Sequence, residues 1–315
     1  MISKTRGSAR RALLSLACIG SLAPALPVLG QGSDAFEAID PENPYMNTRV
    51  IPGFGYRSKA DIDSGGEFDE LAFSVRGGPS FALGNDIRLN AIASYRYSHY
   101  DFSGFGIDPW ENIHTFRLTP LFVYKMDDAW SFWGGPTVAF SAEEGADWSK
   151  AFTGGAFAGV NYHYSDVLSF GGGLGITSQI EDHPAILPIL LANWKFADQW
   201  TARVGFSEVA ASGGIGAEVS YDLNEQWKLG AGIQFQRKRF RLDESGPIPD
   251  GVGQDKSVPI YVKAAWELSP SATLEFLVGI NAGGQVLAED NDGQRLAKED
   301  YDPSALIGFR AVFSF

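Results

Sequence analysis

The chain has one cysteine in 315 residues, Cys18, and it falls in a leader-like segment at the N-terminus. A chain processed after that segment carries neither disulfides nor thiol chemistry. Past Gln31 no run of about eighteen apolar residues occurs, which excludes a membrane-spanning helix and leaves strands untouched by the test. Helical periodicity is scarce throughout. The formal charge of -13 comes with no basic patch, and most of the acids lie in breaks between apolar runs, so no nucleic-acid partner is expected.

Lys4, Arg6, Arg10 and Arg11 precede an apolar run from Ala12, followed by small residues and prolines up to Gly30. That order is a secretory signal peptide, and Pro24 and Pro27 leave the run too short and broken to span a bilayer. A lipoprotein signal at Cys18 is the alternative, with Ser15 standing where a large aliphatic is usual. The expected organisation is a signal peptide over 1–30, a short periplasmic segment over 31–45, and one β domain over 46–315.

From Met46 the chain repeats an alternating run of about ten residues followed by a break rich in Gly, Asn, Asp, Ser and Pro. Short breaks, such as "MDDA" at Met126 and "LNEQ" at Leu223, alternate with longer ones. The longer ones are "SKADIDSGGEFD", "DFSGFGIDPWEN", "SAEEGADWSK", "EDH", "EVAAS", "DESGPIPDGVGQDK" and "EDNDGQRLAKEDYD". Short turns at one end and longer loops at the other predict an all-β, antiparallel, up-and-down transmembrane barrel of about fourteen strands, within twelve to sixteen. Parity supports it: Arg49, Arg57, Arg76, Arg88, Arg96, Arg117, Arg203, Glu218, Lys228, Lys263, Glu267, Glu275 and Arg310 all fall on the less apolar face of their runs. That face must meet water.

A soluble β-sandwich would bury the apolar face instead, and parity alone does not separate the two. Aromatic placement does. Trp130, Trp200 and Trp227 follow short turns on the apolar parity, and Trp194 and Trp266 precede other short turns. Five indoles at one depth read as an aromatic belt at a membrane interface.

The chain ends in "LIGFRAVFSF", where Ile307, Phe309, Ala311, Phe313 and Phe315 alternate with Gly308, Arg310 and Ser314. Here the sequence resembles bacterial outer-membrane β-barrel proteins, most closely the exported barrels known only as domains of unknown function. The resemblance covers Met46 to Phe315. It implies that Phe309, Phe313 and Phe315 form the C-terminal signal read by the barrel assembly machinery, which pairs with an unpaired strand edge. It also implies an outer-membrane location in a Gram-negative-type bacterium, periplasmic termini and outer-membrane lipid as surroundings.

A barrel of this size encloses a lumen wider than the side chains of a small barrel fill. Arg49, Arg57, Arg76, Arg88, Arg96, Arg117 and Arg310 lie on the first four strands and the last, which closure makes contiguous, with almost no inward acid beside them. Leu121, Val123, Trp133, Phe157, Leu187, Ile189 and Leu191 fall on the inward parity of the middle strands. The expectation is a lumen with one cationic and one apolar wall, acting as a passive, porin-like channel for small anionic or amphipathic solutes. Two competing readings stay open: acidic loop residues fold in against the arginines, and the apolar residues pack on an inserted loop.

An enzyme at the rim, or a structural or adhesive barrel, is the alternative class. His99 and Asp101 in "SHYD", with His114 beyond the same loop, carry the only hydrolase-like signal, and no serine is tied to them by a motif. No catalytic residue, cofactor or metal site is expected. In "EDNDGQRLAKE" Asp290, Asp292, Gly293 and Glu299 come near a calcium-loop spacing, but Ala288 and Arg295 break it. "GGGLG" at Gly171 lacks a following helix and reads as close packing within the barrel.

Overall fold

The protein, described from a computed structural model over residues 48–104, 108–209 and 211–315, is a closed antiparallel barrel. The leader and the 31–45 segment lie outside the described residues. The strands are β1 (Arg49–Asp61), β2 (Glu67–Gly78), β3 (Ser80–Ala82), β4 (Ile87–Ser103), β5 (Asn112–Lys125), β6 (Trp130–Glu143), β7 (Phe152–Ser165) and β8 (Leu168–Gln179). They continue as β9 (Asp182–Ala197), β10 (Trp200–Val209), β11 (Ser212–Asp222), β12 (Trp227–Arg241), β13 (Val252–Ser269), β14 (Ala272–Glu289), β15 (Arg295–Tyr301) and β16 (Ser304–Ser314). Pro79, which has no N–H for the ladder, separates β2 from its continuation β3. Asp302 and Pro303 likewise divide β15 from β16, and both halves pair with β14. Fourteen staves result.

Closure is made by the first strand. β1 pairs β2 through Phe54↔Phe73 and β16 through Phe54↔Phe309, so the last strand joins the first. Among the described residues the sheet has no free edge, which is the condition for crossing lipid with strands.

The apolar parity points outward. Phe73, Leu118, Leu174, Ile186, Leu190 and Val278 are all exposed, whereas Arg57, Arg76, Thr119, Asn161 and Gln234 are buried inside. A soluble monomer rarely exposes apolar patches beyond a few hundred Å². Here the exposed residues encircle the molecule.

At the short-turn end the aromatic belt closes into stacked groups. Trp130 packs on Tyr162 and Tyr162 on Phe170, while Trp194, Phe196, Trp200 and Tyr221 form a second chain of rings. Trp227 and Trp266 stack with centroids 5.5 Å apart and planes 2° from parallel. Both chain ends of the barrel, Arg49 and Ser314, are register partners at this same end.

The opposite rim differs from the sequence expectation. "EDH" and "EVAAS" are not long loops: β8 and β9 are joined by Ile180 and Glu181, with Glu181 at φ 46°, and β10 and β11 by two residues. Much of "SKADIDSGGEFD", "DESGPIPDGVGQDK" and "EDNDGQRLAKEDYD" is strand, because β1, β2, β13, β14 and β15 continue into those stretches. The physical reason is that a paired strand above the bilayer faces water on its outer side. The alternation that marks a strand against lipid vanishes there, although the ladder continues.

That taller part of the rim is filled. Phe68, Tyr100, Phe102, Trp110, Phe240 and Tyr301 pack as one buried cluster inside the mouth remote from the short turns, here called the outer one, with Trp110 edge-on to Phe102 at 5.3 Å and to Phe240 at 5.3 Å. The outer end of β12 turns inward across the mouth: Arg239, Phe240, Arg241 and Leu242 are all buried, and Arg241 pairs with Ala142 on β6, far around the wall.

Candidate functional site: a layered lumen

Register places the inward polar residues in rows. Arg76, Ser94 and Arg117 are direct partners across β2, β4 and β5, and one row outward Ser74, Arg96, Thr115 and Ser141 line up across β2, β4, β5 and β6. Thr119 and Thr137 hydroxyls lie 2.9 Å apart below them. These rows bound a chamber of about 120 Å³ between the β4–β8 wall and the inturned end of β12. Its lining carries Arg76, Arg96, Arg117, Arg237, Lys238 and Arg239, and no carboxylate among the described residues.

Toward the short-turn end the same strands become apolar. Leu121, Val123, Trp133, Phe157 and Ile189 form one buried cluster, with Leu191, Ile92 and Phe206 packed against it; Leu187 is buried beside Ile189 on β9. The seven apolar residues singled out from sequence thus share one region of the inner wall. Glycine makes room for it: a Cβ on Gly159 would come within 2.2 Å of the Trp133 ring and one on Gly173 within 2.8 Å, so the indole lies on bare backbone. On β5 the order from mouth to base is Thr115, Arg117, Thr119, Leu121, Val123. Cationic and apolar zones are therefore stacked along the axis as well as set on facing walls.

The seven lumen arginines do not behave alike, and the expectation of almost no inward acid beside them fails at Arg57, Arg96 and Arg310. Arg57 Nη2 lies 3.2 Å from Glu70 and 3.1 Å from Asp255, Arg96 lies 3.0 Å from Glu70, and Arg310 lies 2.7 Å from Glu275. Asp255 belongs to a stretch read as loop, whereas its backbone is the first part of β13 and its side chain reaches inward. Arg49 and Arg88 sit near the short-turn end, and Arg76 and Arg117 line the chamber.

Sequence reading missed Glu70, Asp255 and the basic run Arg237, Lys238, Arg239 and Arg241. Lys238 donates to both Glu70 oxygens at 2.6 Å, bridging the lumen from β12 to β2. Tyr100 and Tyr301 hydroxyls donate to Asp255 at 3.0 and 2.8 Å. The available signal was "FQRKRFR" itself: charge on both parities at a strand end means neither face meets lipid. On the facing wall Lys263 lies 2.9 Å from Glu218, and Tyr261 donates to Glu218 at 2.9 Å.

The outer loops are clasped together. Lys150 Nζ lies 2.7 Å from Asp250, whose carbonyl accepts from Arg241 at 2.7 Å. The hydrogen bond to Asp250 raises the Lys150 amine above its ordinary value, and the Ser149 hydroxyl and amide lower Asp147.

His99 and His114 lie on the outer face: His114 Nδ1 is 2.9 Å from the Tyr95 hydroxyl, and His99 Nδ1 is 2.9 Å from Asn112 Oδ1. Neither faces Asp101 in a relay. In the β14–β15 turn Asp290 Oδ1 accepts from the amides of Asp292 and Gln294, the geometry of a capped polar turn. At the C-terminus Phe309 packs on Phe276, and Phe313 and Phe315 are exposed on the outer face.

Among solved structures the barrel is similar to the COG4313 outer membrane channel from Pseudomonas putida F1, with 14% identity and a TM-score of 0.48 over 88% of this chain and 100% of that one. It is also similar to a Pseudomonas aeruginosa FadL homologue, with 12% identity and a TM-score of 0.48 over 87% and 91%. A third is the P. putida toluene transporter TodX, with 9% identity and a TM-score of 0.41 over 85% and 89%. No curated protein matches. A family description matches residues 91–310, from within β4 through most of β16, and by that match the chain belongs to the family described as Domain of unknown function (DUF6268).

Proposed function

We propose that this barrel is a passive outer-membrane channel for small anionic or amphipathic solutes, with both termini on the periplasmic side. The observation that carries the reading is the layered lumen: a chamber lined by cations and hydroxyls stands directly above an apolar wall built from Trp133, Phe157 and Ile189. A field of one sign inside low-dielectric walls raises the local concentration of anions. The apolar layer below gives the hydrocarbon part of an amphipathic solute a dry surface to slide over. Phe309, Phe313 and Phe315 serve as the assembly signal, presented on an edge strand before β16 closes on β1.

The filled outer mouth sets the rate. Solute enters only when the side chains around Phe68, Trp110 and Phe240 part, so conductance is expected to be small and intermittent. Single-channel recording of the refolded protein in a planar bilayer tests this, with an anion-selective conductance expected. No conductance, or a preference for cations, would overturn the reading. Liposome swelling with aliphatic and aromatic carboxylates then ranks the solutes.

A further inference from the structure

The chamber in the outer half of the lumen holds a concentration of donors beyond what a merely wet wall requires. Arg76, Arg96, Arg117, Arg237, Lys238 and Arg239 converge on a space of about 120 Å³. Among the described residues no carboxylate lines the space, and those nearby pair with some of its cations: Glu70 with Arg96 and Lys238, Asp255 with Lys238, Asp182 with Arg237 at 3.9 Å, and Glu289 with Arg239. Arg117 has no carboxylate within ion-pair distance among the described residues, and its Nε has no hydrogen-bond partner among them.

Size admits a small occupant. An apolar cavity of about 150 Å³ holds benzene, with its six heavy atoms. The chamber of about 120 Å³, partly open to the lumen, has room for about five. Shape and chemistry narrow the choice, because guanidinium groups present paired N–H donors that match the oxygens of phosphate or carboxylate. Ser74, Ser98, Thr115, Thr137 and Ser141 add hydroxyl donors from the facing wall. The hydroxyls alternate with the arginines along the register rows of β2, β4, β5 and β6, and Arg237, Lys238 and Arg239 face that wall from β12.

We propose that this chamber is a binding site for a small, doubly charged tetrahedral oxyanion of the size of inorganic phosphate. The inference deepens the channel reading and rests on it only for access: an anion held here stands above the apolar layer, where the wall residues Leu121, Val123, Trp133, Phe157 and Ile189 offer no cation to replace those it leaves. Positive charge from opposite walls, β12 against β2, β4 and β5, gives such an anion partners on two sides at once.

The test is isothermal titration of the refolded, detergent-solubilised full chain with inorganic phosphate. Saturable one-site binding is expected, with sulfate competing at comparable concentration. Arg117→Gln should weaken it about tenfold or more, the worth of one charge-assisted hydrogen bond at a buried site. Arg237→Gln serves as the second variant, and heat-dependent gel mobility verifies that each barrel has folded. Absence of saturable phosphate binding by the unaltered protein overturns the proposal. So does unchanged binding in both folded variants, or displacement of phosphate by lactate at comparable concentration. Binding without bilayer conductance would leave the site standing and remove the channel reading, whereas conductance without binding would do the reverse.

Discussion

Arg57 and Asp255 lie 198 residues apart in sequence and meet inside the barrel, Nη2 to Oδ2 at 3.1 Å, with each side chain only 1% exposed. Glu70 lies 3.2 Å from the same Nη2, and the Tyr301 hydroxyl accepts from Arg57 Nη1 at 2.7 Å. Removing Asp255 leaves the buried charges of Arg57 and Lys238 to share the one remaining carboxylate, Glu70. Asp255→Asn should therefore cost about 3 kcal/mol, read as a lowered urea midpoint for unfolding from detergent micelles. Replacing both residues with apolar ones of similar volume, Arg57→Met with Asp255→Leu, should cost less than the single change. If the double variant is the weaker of the two, the pair is not the unit described here.

Trp133 rests on Gly159 and Gly173, and that contact closes part of the inner lumen. Trp133→Ala should cost roughly 3 kcal/mol and raise single-channel conductance. Gly159→Ala, with its Cβ directed into the indole, should lower stability by about 1–3 kcal/mol and expose the tryptophan to aqueous quencher. A barrel of unchanged conductance after Trp133→Ala would show that passage lies elsewhere.

Val262 and Trp266 are on the same outward face of β13, at mid-strand and at the aromatic belt respectively. An arginine on the lipid face costs about 2–4 kcal/mol at the midplane and about 0–1 near the interface. Val262→Arg should thus impair folding into phospholipid vesicles much more than Trp266→Arg, measured by urea titration. Equal effects would mean that this face does not meet hydrocarbon.

The Lys150 to Asp250 bridge ties two outer loops, and its stability window follows from the directions of the two shifts beside it. Lys150 is raised above its ordinary 10.5, so its contribution is complete below that value and lost as pH rises through the higher folded one. Asp147 is lowered below 3.8, so its contribution is complete above that value and lost as pH falls further. Hydrogen exchange of the 144–151 loop, corrected for intrinsic rates, should show constant protection from about pH 5 to 9. Lys150→Ala should raise exchange and proteinase cleavage there at neutral pH.

Periodicity, as far as lipid enforces it, was fully legible. Between the two interfaces every second residue of a strand must be apolar, so parity and stave number follow from local order. Above the outer interface that constraint ends. Glu70 could be placed on its inward parity, but nothing local named Asp255 and Lys238 as its company. The "FQRKRFR" run carried no alternation from which a face could be read.

The sequence by itself determined an inside-out barrel, because the solvent outside it is hydrocarbon and imposes a two-residue period on each stave. Only the tertiary structure decided what the lumen contains. Closure brings β12 opposite β2 and sets Arg57 against Asp255, and such pairings depend on register and on how the strand ends bend inward. The polar interior offers many partners of similar energy, and which of them meet is settled by geometry across the whole barrel.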